Sequence, residues 1–368
     1  MGNSKIYFKN INFLRFLFCL CIVLTHISNA LCGNVEIEQS VPLYHHIVNN
    51  SKFNTIPVDC FFILSGFFLF NTTNFNENFY EFAKKKIIRL LPVVLFAIIL
   101  WHIVSSVVLH HGVPFNHELW AVLMLQNIGL TTFSPLLGNI WFVSTLFWVS
   151  SFYFYLFKII DRKWFNLITA GLVFAGYALY LHTGDHKPFE NIYYVLNYGT
   201  IRGLAGIGLG YFIWQLFNDH LKNIRCNKTS IINKLIFTGL ELIFILAIFK
   251  NIVFKAMSYD NKLLLILDFA LLFILFIVKK GFISQVLENN ISVFLGQFSY
   301  SIYITHIIFR NIWQKHFFEH HKELVMNYPE LNILIIFVCS ILFGIFTYYY
   351  IEKPATKLLK KKFITQTK

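Results

Sequence analysis

The chain has 368 residues, of which 57% are apolar and only 13% carry a charged side chain. Soluble domains carry about 25% charged residues, so this composition points away from water. It excludes a disordered chain, a coiled coil and a disulfide-stapled secreted domain.

Ten apolar stretches follow one another along the chain, and most are near the ~20 residues that cross a bilayer as a helix. They predict an all-α polytopic transmembrane helix bundle that forms a single membrane domain over residues 1–368. The predicted spans are about 10–31, 57–71, 88–109, 138–157, 164–182, 196–217, 231–249, 262–278, 293–314 and 331–350. The apolar segment 118–132 is shorter, and we expect it to be re-entrant or interfacial.

The positive charges predict the orientation of the bundle. With ten spans and an internal N-terminus, 21 of the 31 Lys and Arg residues fall in cytoplasmic segments and seven fall outside. The positive-inside rule expects such a bias, so both termini are predicted to be cytoplasmic. The net charge of +13 then reflects contact with the inner leaflet of the bilayer and gives no argument for a nucleic acid partner.

The first span contains two ionisable residues, Arg15 and His26, which are eleven residues apart. Eleven helical steps bring them to within about 20° of one face and separate them by about 16 Å along the axis. This polar stripe indicates a functional pair. The alternative is an Arg15 that reaches the inner-leaflet phosphates and a His26 that is hydrogen-bonded at the outer interface.

Asp59 begins the second span at its outer end, at about the depth predicted for His26. A carboxylate there would fix the tautomer of the imidazole and raise its basicity. A helix N-cap would place Asp59 equally well. Both interpretations stay open from the sequence.

A basic cluster, Lys84, Lys85, Lys86 and Arg89, leads into the third span on the cytoplasmic side. Lys86 and Arg89 are three residues apart and share one helix face. The cluster is either an anchor at the inner leaflet or a phosphate site for an anionic donor such as a nucleotide-bearing thioester.

Later spans also carry polar groups. Trp141 and Ser144 open the fourth span. Arg202 lies among glycines in the sixth, where it needs either a water-filled cavity or a partner such as Glu241 or Asp268. The ninth span holds a dense polar run, which we interpret as the lining of a cavity: Ser299, Tyr300, Ser301, Tyr303, Thr305 and His306.

In this order, the motifs resemble those of acyltransferase family 3, whose members are integral membrane enzymes that O-acylate cell-envelope glycans. The resemblance rests on Arg15 and His26 with ten residues between them, and on segments 58–67 (VDCFFILSGF), 82–92 (FAKKKIIRLLP), 141–144 (WFVS), 202–210, 295–306 and 352–354. In the family the basic pair is usually Arg and Arg, whereas this chain has Lys86. A lysine meets a phosphate as a point charge without the bidentate fork of arginine.

The resemblance implies an O-acyltransferase of the bacterial cytoplasmic (inner) membrane. Acetyl-CoA or another acyl-CoA would bind near Lys85, Lys86 and Arg89, and no metal is expected. Arg15 would hold or polarise the thioester, and His26, oriented by Asp59, would act as a general base or a transient acyl carrier. The acceptor would be a hydroxyl of an envelope glycan or glycolipid such as lipopolysaccharide or capsule. The substrate path would be lined by Trp141, Ser144, Arg202, Ser299, Tyr303 and His306.

Composition and topology also fit an exporter, whereas the short outer loops argue against a third class, a glycan polymerase. An exporter of a glycan, lipid or small acid would consume no acyl-CoA and would tolerate alanine at Lys86 and Arg89. A glycan polymerase would need large outer loops, and the longest predicted here is 32–56. The sequence indicates neither the modified sugar nor the oligomeric state.

Overall fold

The computed structural model describes residues 6–31, 56–108, 110, 112, 115–130, 137–182, 188, 190–193, 196–254, 259–317 and 320–364. These residues are almost entirely helical. The first nine helices are α1 (Lys9–Leu31), α2 (Ile56–Thr72), α3 (Phe79–Val107), α4 (Phe115–Val122), α5 (Trp141–Ile159), α6 (Arg162–His182), α7 (Tyr198–Leu216), α8 (Lys222–Cys226) and α9 (Ile231–Phe254). A two-stranded antiparallel pair, β1 (Asn191–Tyr193) and β2 (Leu196–Asn197), precedes α7.

The second half of the chain continues the bundle. Its helices are α10 (Tyr259–Val278), α11 (Phe282–Val286), α12 (Asn290–Gly296), α13 (Ser299–Ile312), α14 (Lys322–Asn327), α15 (Pro329–Thr347) and α16 (Lys353–Phe363). Three π-helical turns extend α7, α13 and α15, at Phe217–Leu221, Trp313–Phe317 and Tyr348–Glu352.

The protein is an all-α polytopic bundle, as the sequence predicts. Seven helical segments in the described part of the chain are long and apolar enough to cross a membrane, and α2 is a shorter apolar helix. Helices coincide with all ten predicted intervals, including α2, α7 and α10 outside those seven. The count of ten spans and the cytoplasmic position of both termini stay predictions.

The segment predicted to be re-entrant or interfacial begins with α4, which has only eight residues. Such a helix is about 12 Å long, which is too short for a hydrocarbon core of about 30 Å. Its length therefore agrees with a segment that does not cross the bilayer. Residues 131 and 132, at the end of the predicted segment, lie outside the described residues.

Asparagine caps set the starts of two helices that carry site residues. The side chain of Asn78 accepts from the backbone N–H of Glu81 at 2.8 Å, so α3 begins one turn before the basic cluster. Asn197 accepts from the N–H of Thr200 at 2.8 Å, so α7 begins just before Arg202. An asparagine at this position satisfies an N–H group that has no partner within the helix.

The tightest helix pair of the bundle is α2 against α7, and it depends on glycine. A Cβ atom at Gly210 would collide with the carbonyl oxygen of Ile63, and one at Gly66 with that of Ile207. Small residues let two membrane helices approach until their backbones touch. This approach brings Asp59 on α2 next to Arg202 on α7.

A polar cluster anchors the start of α1 at the end of the bundle that holds Lys84–Lys86. Glu288 accepts from the backbone N–H of Asn10 at 3.0 Å and from Arg225 at 2.6 Å. Arg225 also donates to the carbonyl of Ile277 at 2.6 Å. Burial lowers the pKa of Arg225, and the charge of Glu288 opposes that shift. The cluster fixes the position of α1, on which Arg15 and His26 lie.

The close approach of α2 and α7 predicts a specific stability difference. Gly210→Ala should lower the melting temperature in detergent by an amount corresponding to about 1–3 kcal/mol, because the added methyl group overpacks a backbone contact. Gly239→Ala is the matched control on α9, where a Cβ meets no atom within 4 Å. It should be neutral or stabilising, since alanine is the better helix former. Equal changes in the two variants would contradict the account.

Candidate active site

Helix α1 connects two polar regions of the bundle. Arg15 lines a cavity of about 920 Å³ at the end that holds the basic cluster. His26 lies eleven residues further along the same helix, about 16 Å away along the axis, and it contacts His306 on α13. Arg15 and His26, which the spacing predicts to share one helix face, thus lie one in each polar region.

The cavity is strongly basic. Glu77 is the one acidic side chain among the described residues that line it, and it is paired with Lys85. The lining also includes small polar side chains at the end of α2, such as Ser65 and Asn71. Its cationic side chains are Arg15, Lys85, Lys86, Arg89 and Lys360. Such an excess of positive charge favours an anionic ligand.

The three consecutive lysines of the cluster differ in their surroundings. Lys84 is paired with Glu81 at 2.7 Å and does not line the cavity. Lys86 lines it, donates to the hydroxyl of Ser150 at 3.3 Å and lies over the ring of Phe82. Lys86 is thus held by α5 at the surface of the cavity.

The inner part of the cavity is formed by α13. Ser299, Tyr300 and Tyr303 line it, and the hydroxyl of Tyr300 donates to the carbonyl of Leu90 at 2.7 Å. The hydroxyl of Tyr303 donates to the carbonyl of Asn139 at 3.0 Å, and the Asn139 amide donates to the carbonyl of Tyr303. These contacts fix Tyr303 at the boundary between the cavity and the histidines.

The second polar region is a pair of histidines. His26 Nδ1 lies 2.7 Å from His306 Nε2, and the two rings are nearly coplanar, with centroids 5.0 Å apart and planes 15° apart. His306 is fully buried, and its Nδ1 lies 3.2 Å from the carbonyl oxygen of Ile302. The ring of Tyr303 is 5.9 Å from that of His306. The sequence predicts that His306 lines the substrate path. In the structure His306 contacts His26 instead and does not line the cavity.

Asp59 is the partner of Arg202, and the prediction that it orients His26 is wrong. Arg202 Nε donates to one carboxylate oxygen at 3.0 Å and Nη2 donates to the other at 2.9 Å. Both side chains are almost fully buried. A buried guanidinium forms two charge-assisted bonds to a carboxylate, which a neutral imidazole cannot match.

The ion pair of Arg202 also corrects two other expectations. Its carboxylate partner is Asp59 rather than Glu241 or Asp268, and Glu241 instead accepts from the backbone N–H groups of Ile283 and Ser284 at 3.1 and 3.3 Å. The guanidinium lies 5.5 Å from the Trp141 ring centroid. Arg202 and Trp141 thus belong to a packed buried cluster and are absent from the cavity lining.

Ser144 has a structural role as well. Its hydroxyl donates to the carbonyl of Met124 at 2.6 Å and accepts from the backbone N–H of Asn127 at 3.2 Å. It is fully buried and does not line the cavity. Of the six residues predicted for the substrate path, only Ser299 and Tyr303 are therefore at the cavity surface.

The site also includes residues that had no predicted role, among them Lys360 in the cavity lining. Asn139 holds Tyr303 in place, and nothing in its sequence context marks it. Glu352 accepts from the hydroxyl of Ser301 at 2.6 Å and is in electrostatic contact with Arg15 and Arg89. It ends the π-helical turn after α15, and the segment 352–354 that contains it was already part of the family motif.

The comparison with family models identifies the protein class. The model of acyltransferase family 3, described as an acyltransferase domain, matches residues 8–352. The chain belongs to acyltransferase family 3. The match includes both polar regions, from Arg15 to Glu352, so the protein is an integral membrane acyltransferase. No curated protein and no solved structure matches the chain.

The ion pair between Asp59 and Arg202 predicts non-additive effects on stability. Arg202→Leu or Asp59→Leu alone should cost about 3–5 kcal/mol, because each leaves a buried charge without its partner. The double variant should be more stable than the sum of the two losses implies. Thermal unfolding of the purified protein in detergent measures all three. An additive double variant would show that the two side chains are not coupled.

Proposed function

We propose that this acyltransferase moves an acyl group, most simply acetyl, from cytoplasmic acyl-CoA to a hydroxyl of an envelope glycan or glycolipid. The acceptor class includes lipopolysaccharide and capsule, and the location is the bacterial cytoplasmic membrane. One arrangement supports the proposal above all. A basic cavity at one end of α1 and a histidine pair at the other are joined by the face of α13 that carries Ser299 and Tyr303.

The donor side is supported by the charge of the cavity. Coenzyme A carries several phosphate charges, and the cavity provides four cationic side chains besides the paired Lys85: Arg15, Lys86, Arg89 and Lys360. Lysine and arginine meet phosphates through charge-assisted hydrogen bonds. In this proposal the nucleotide end stays among these cations, while the thioester end extends toward Tyr303.

The chemical step is assigned to His26, with Arg15 on the donor side. Ser299 lines the cavity, and His306 lies two helical turns further along α13 at about 10 Å. A thioester arm that extends past Tyr303 would bring its carbonyl carbon near His26. His26 would take the proton of the acceptor hydroxyl as that oxygen attacks the carbonyl carbon.

In this proposal the acceptor binds at the end of the bundle opposite the basic cavity. His26 is half-buried and lies in the last part of α1, away from Arg15. A hydroxyl that arrives from the outer face would meet His26 without entering the basic cavity. The family assignment favours this catalytic role over the exporter that composition alone also allowed.

The donor site is tested by comparing basic residues inside and outside the cavity. Lys86→Ala together with Arg89→Ala should raise the KM for acetyl-CoA by about tenfold or more, since each charge-assisted phosphate contact contributes about 1.5–3 kcal/mol. Lys84→Ala, from the same helical turn but outside the cavity, is the control and should keep the wild-type KM. A similar KM in all three proteins would place the donor elsewhere.

The reaction is tested by mass spectrometry of envelope glycans from cells that express the wild type, His26→Ala or no protein. We expect an acetyl increment on the glycan with the wild type only, because loss of a positioned base costs about 10²–10⁴ in rate. A different increment would identify another acyl donor. Identical glycan masses in all three samples, with the protein present in the membrane, would contradict the proposal.

A further inference from the structure

We propose that His306 is a positioning residue that fixes the tautomer of His26, so that Nε2 of His26 is the atom that takes the acceptor proton. This inference rests on the proposed function, because it assigns the role of a second residue in the same proton transfer. It also replaces the orienting role that the sequence had given to Asp59.

The tautomers of both histidines follow from a single fixed acceptor. The carbonyl oxygen of Ile302 can only accept a hydrogen bond, and it lies 3.2 Å from Nδ1 of His306. His306 therefore carries its proton on Nδ1, and its Nε2 has a lone pair. That nitrogen lies 2.7 Å from His26 Nδ1, so His26 donates from Nδ1 and its own Nε2 is left as the basic nitrogen.

The pair is held firmly in this arrangement. His306 has no exposed surface, and its ring plane lies within 15° of that of His26, so the N–H of one ring can point directly at the nitrogen of the other. A flipped ring of His306 would lose the bond to Ile302 within the same helical turn. A proton on both nitrogens of the 2.7 Å contact would leave two donors facing each other, so the contact requires one donor and one acceptor.

The proposed step is balanced in atoms and charge. The acceptor hydroxyl oxygen forms a bond to the thioester carbon, and its proton passes to Nε2 of His26. The carbon–sulfur bond then breaks, and the proton on Nε2 goes to the leaving thiolate. Throughout this step His26 keeps its Nδ1–H bonded to His306, which holds Nε2 toward the reacting atoms. A base in the other tautomer would present an N–H to the hydroxyl and could not remove its proton.

The test compares glutamine and asparagine at position 306. The side-chain oxygen of glutamine reaches about as far as Nε2 of histidine, so His306→Gln can still accept from His26 Nδ1. Asparagine is one methylene shorter and reaches only the level of Nδ1, so His306→Asn cannot. Acetyl transfer from acetyl-CoA is measured with membranes that contain equal amounts of each folded protein, as judged by size-exclusion chromatography. His320→Gln, at an exposed histidine, is the control.

We expect His306→Asn to lower kcat by about 10²-fold, at the lower end of what a positioned base contributes, with an unchanged KM for acetyl-CoA. His306→Gln should recover most of that loss, and His320→Gln should have no effect. Equal losses in the Gln and Asn variants, or wild-type rates in both, would overturn the inference.

Failure of the proposed function would give a different result from failure of the role that we assign to His306. In that case the wild type itself would transfer no acetyl group and His26→Ala would equal the wild type. If His26→Ala is inactive while His306→Asn keeps the wild-type kcat, only the role of His306 is wrong.

Discussion

The structure depends on a constraint that the bilayer imposes, which is that a polar group inside the membrane needs its partner within the protein. Two contacts meet that need on the side opposite the basic end. Asp59 and Arg202 form a bidentate ion pair between α2 and α7, and His26 and His306 form a hydrogen bond between α1 and α13. Each of these contacts joins two helices that are far apart in the sequence. Pairing of polar groups therefore satisfies the constraint and links helices that the sequence separates.

The proposed reaction path follows from the way α1 and α13 lie side by side. Between the cavity and the histidine pair, Cys19 on α1 donates to the carbonyl of Ser299 on α13 at 3.2 Å. The helices remain in contact up to His26 and His306. In the proposed function, a donor held by cations at one end and a base at the other would thus lie on one rigid two-helix unit. Rigid elements position reacting groups better than loops do, and positioning is a large part of catalysis.

The sequence predicts the features that depend on a single helix, such as its position and the separation of its residues. It does not predict the side-chain partners, which depend on how the helices pack. Helices coincide with the apolar intervals, and the separation of Arg15 and His26 follows from regular helix geometry. The partners of Asp59 and His26 are 143 and 280 residues away, so no spacing within one span could identify them. The sequence places Asp59 and His26 at the same depth and therefore suggests a pair. Depth does not distinguish neighbours within a bundle, and the glycine contact between α2 and α7 brings Arg202 to Asp59 instead.

The central claim is that an acyl group passes from the basic face of the membrane to the opposite face. It is tested most directly with sealed vesicles of known protein orientation, in which labelled acetyl-CoA is supplied on one side and a membrane-impermeant sugar acceptor on the other. The account predicts labelled acceptor only when acetyl-CoA is on the side of the basic cavity and the acceptor is on the side of His26. Labelling only when donor and acceptor share one side would contradict it.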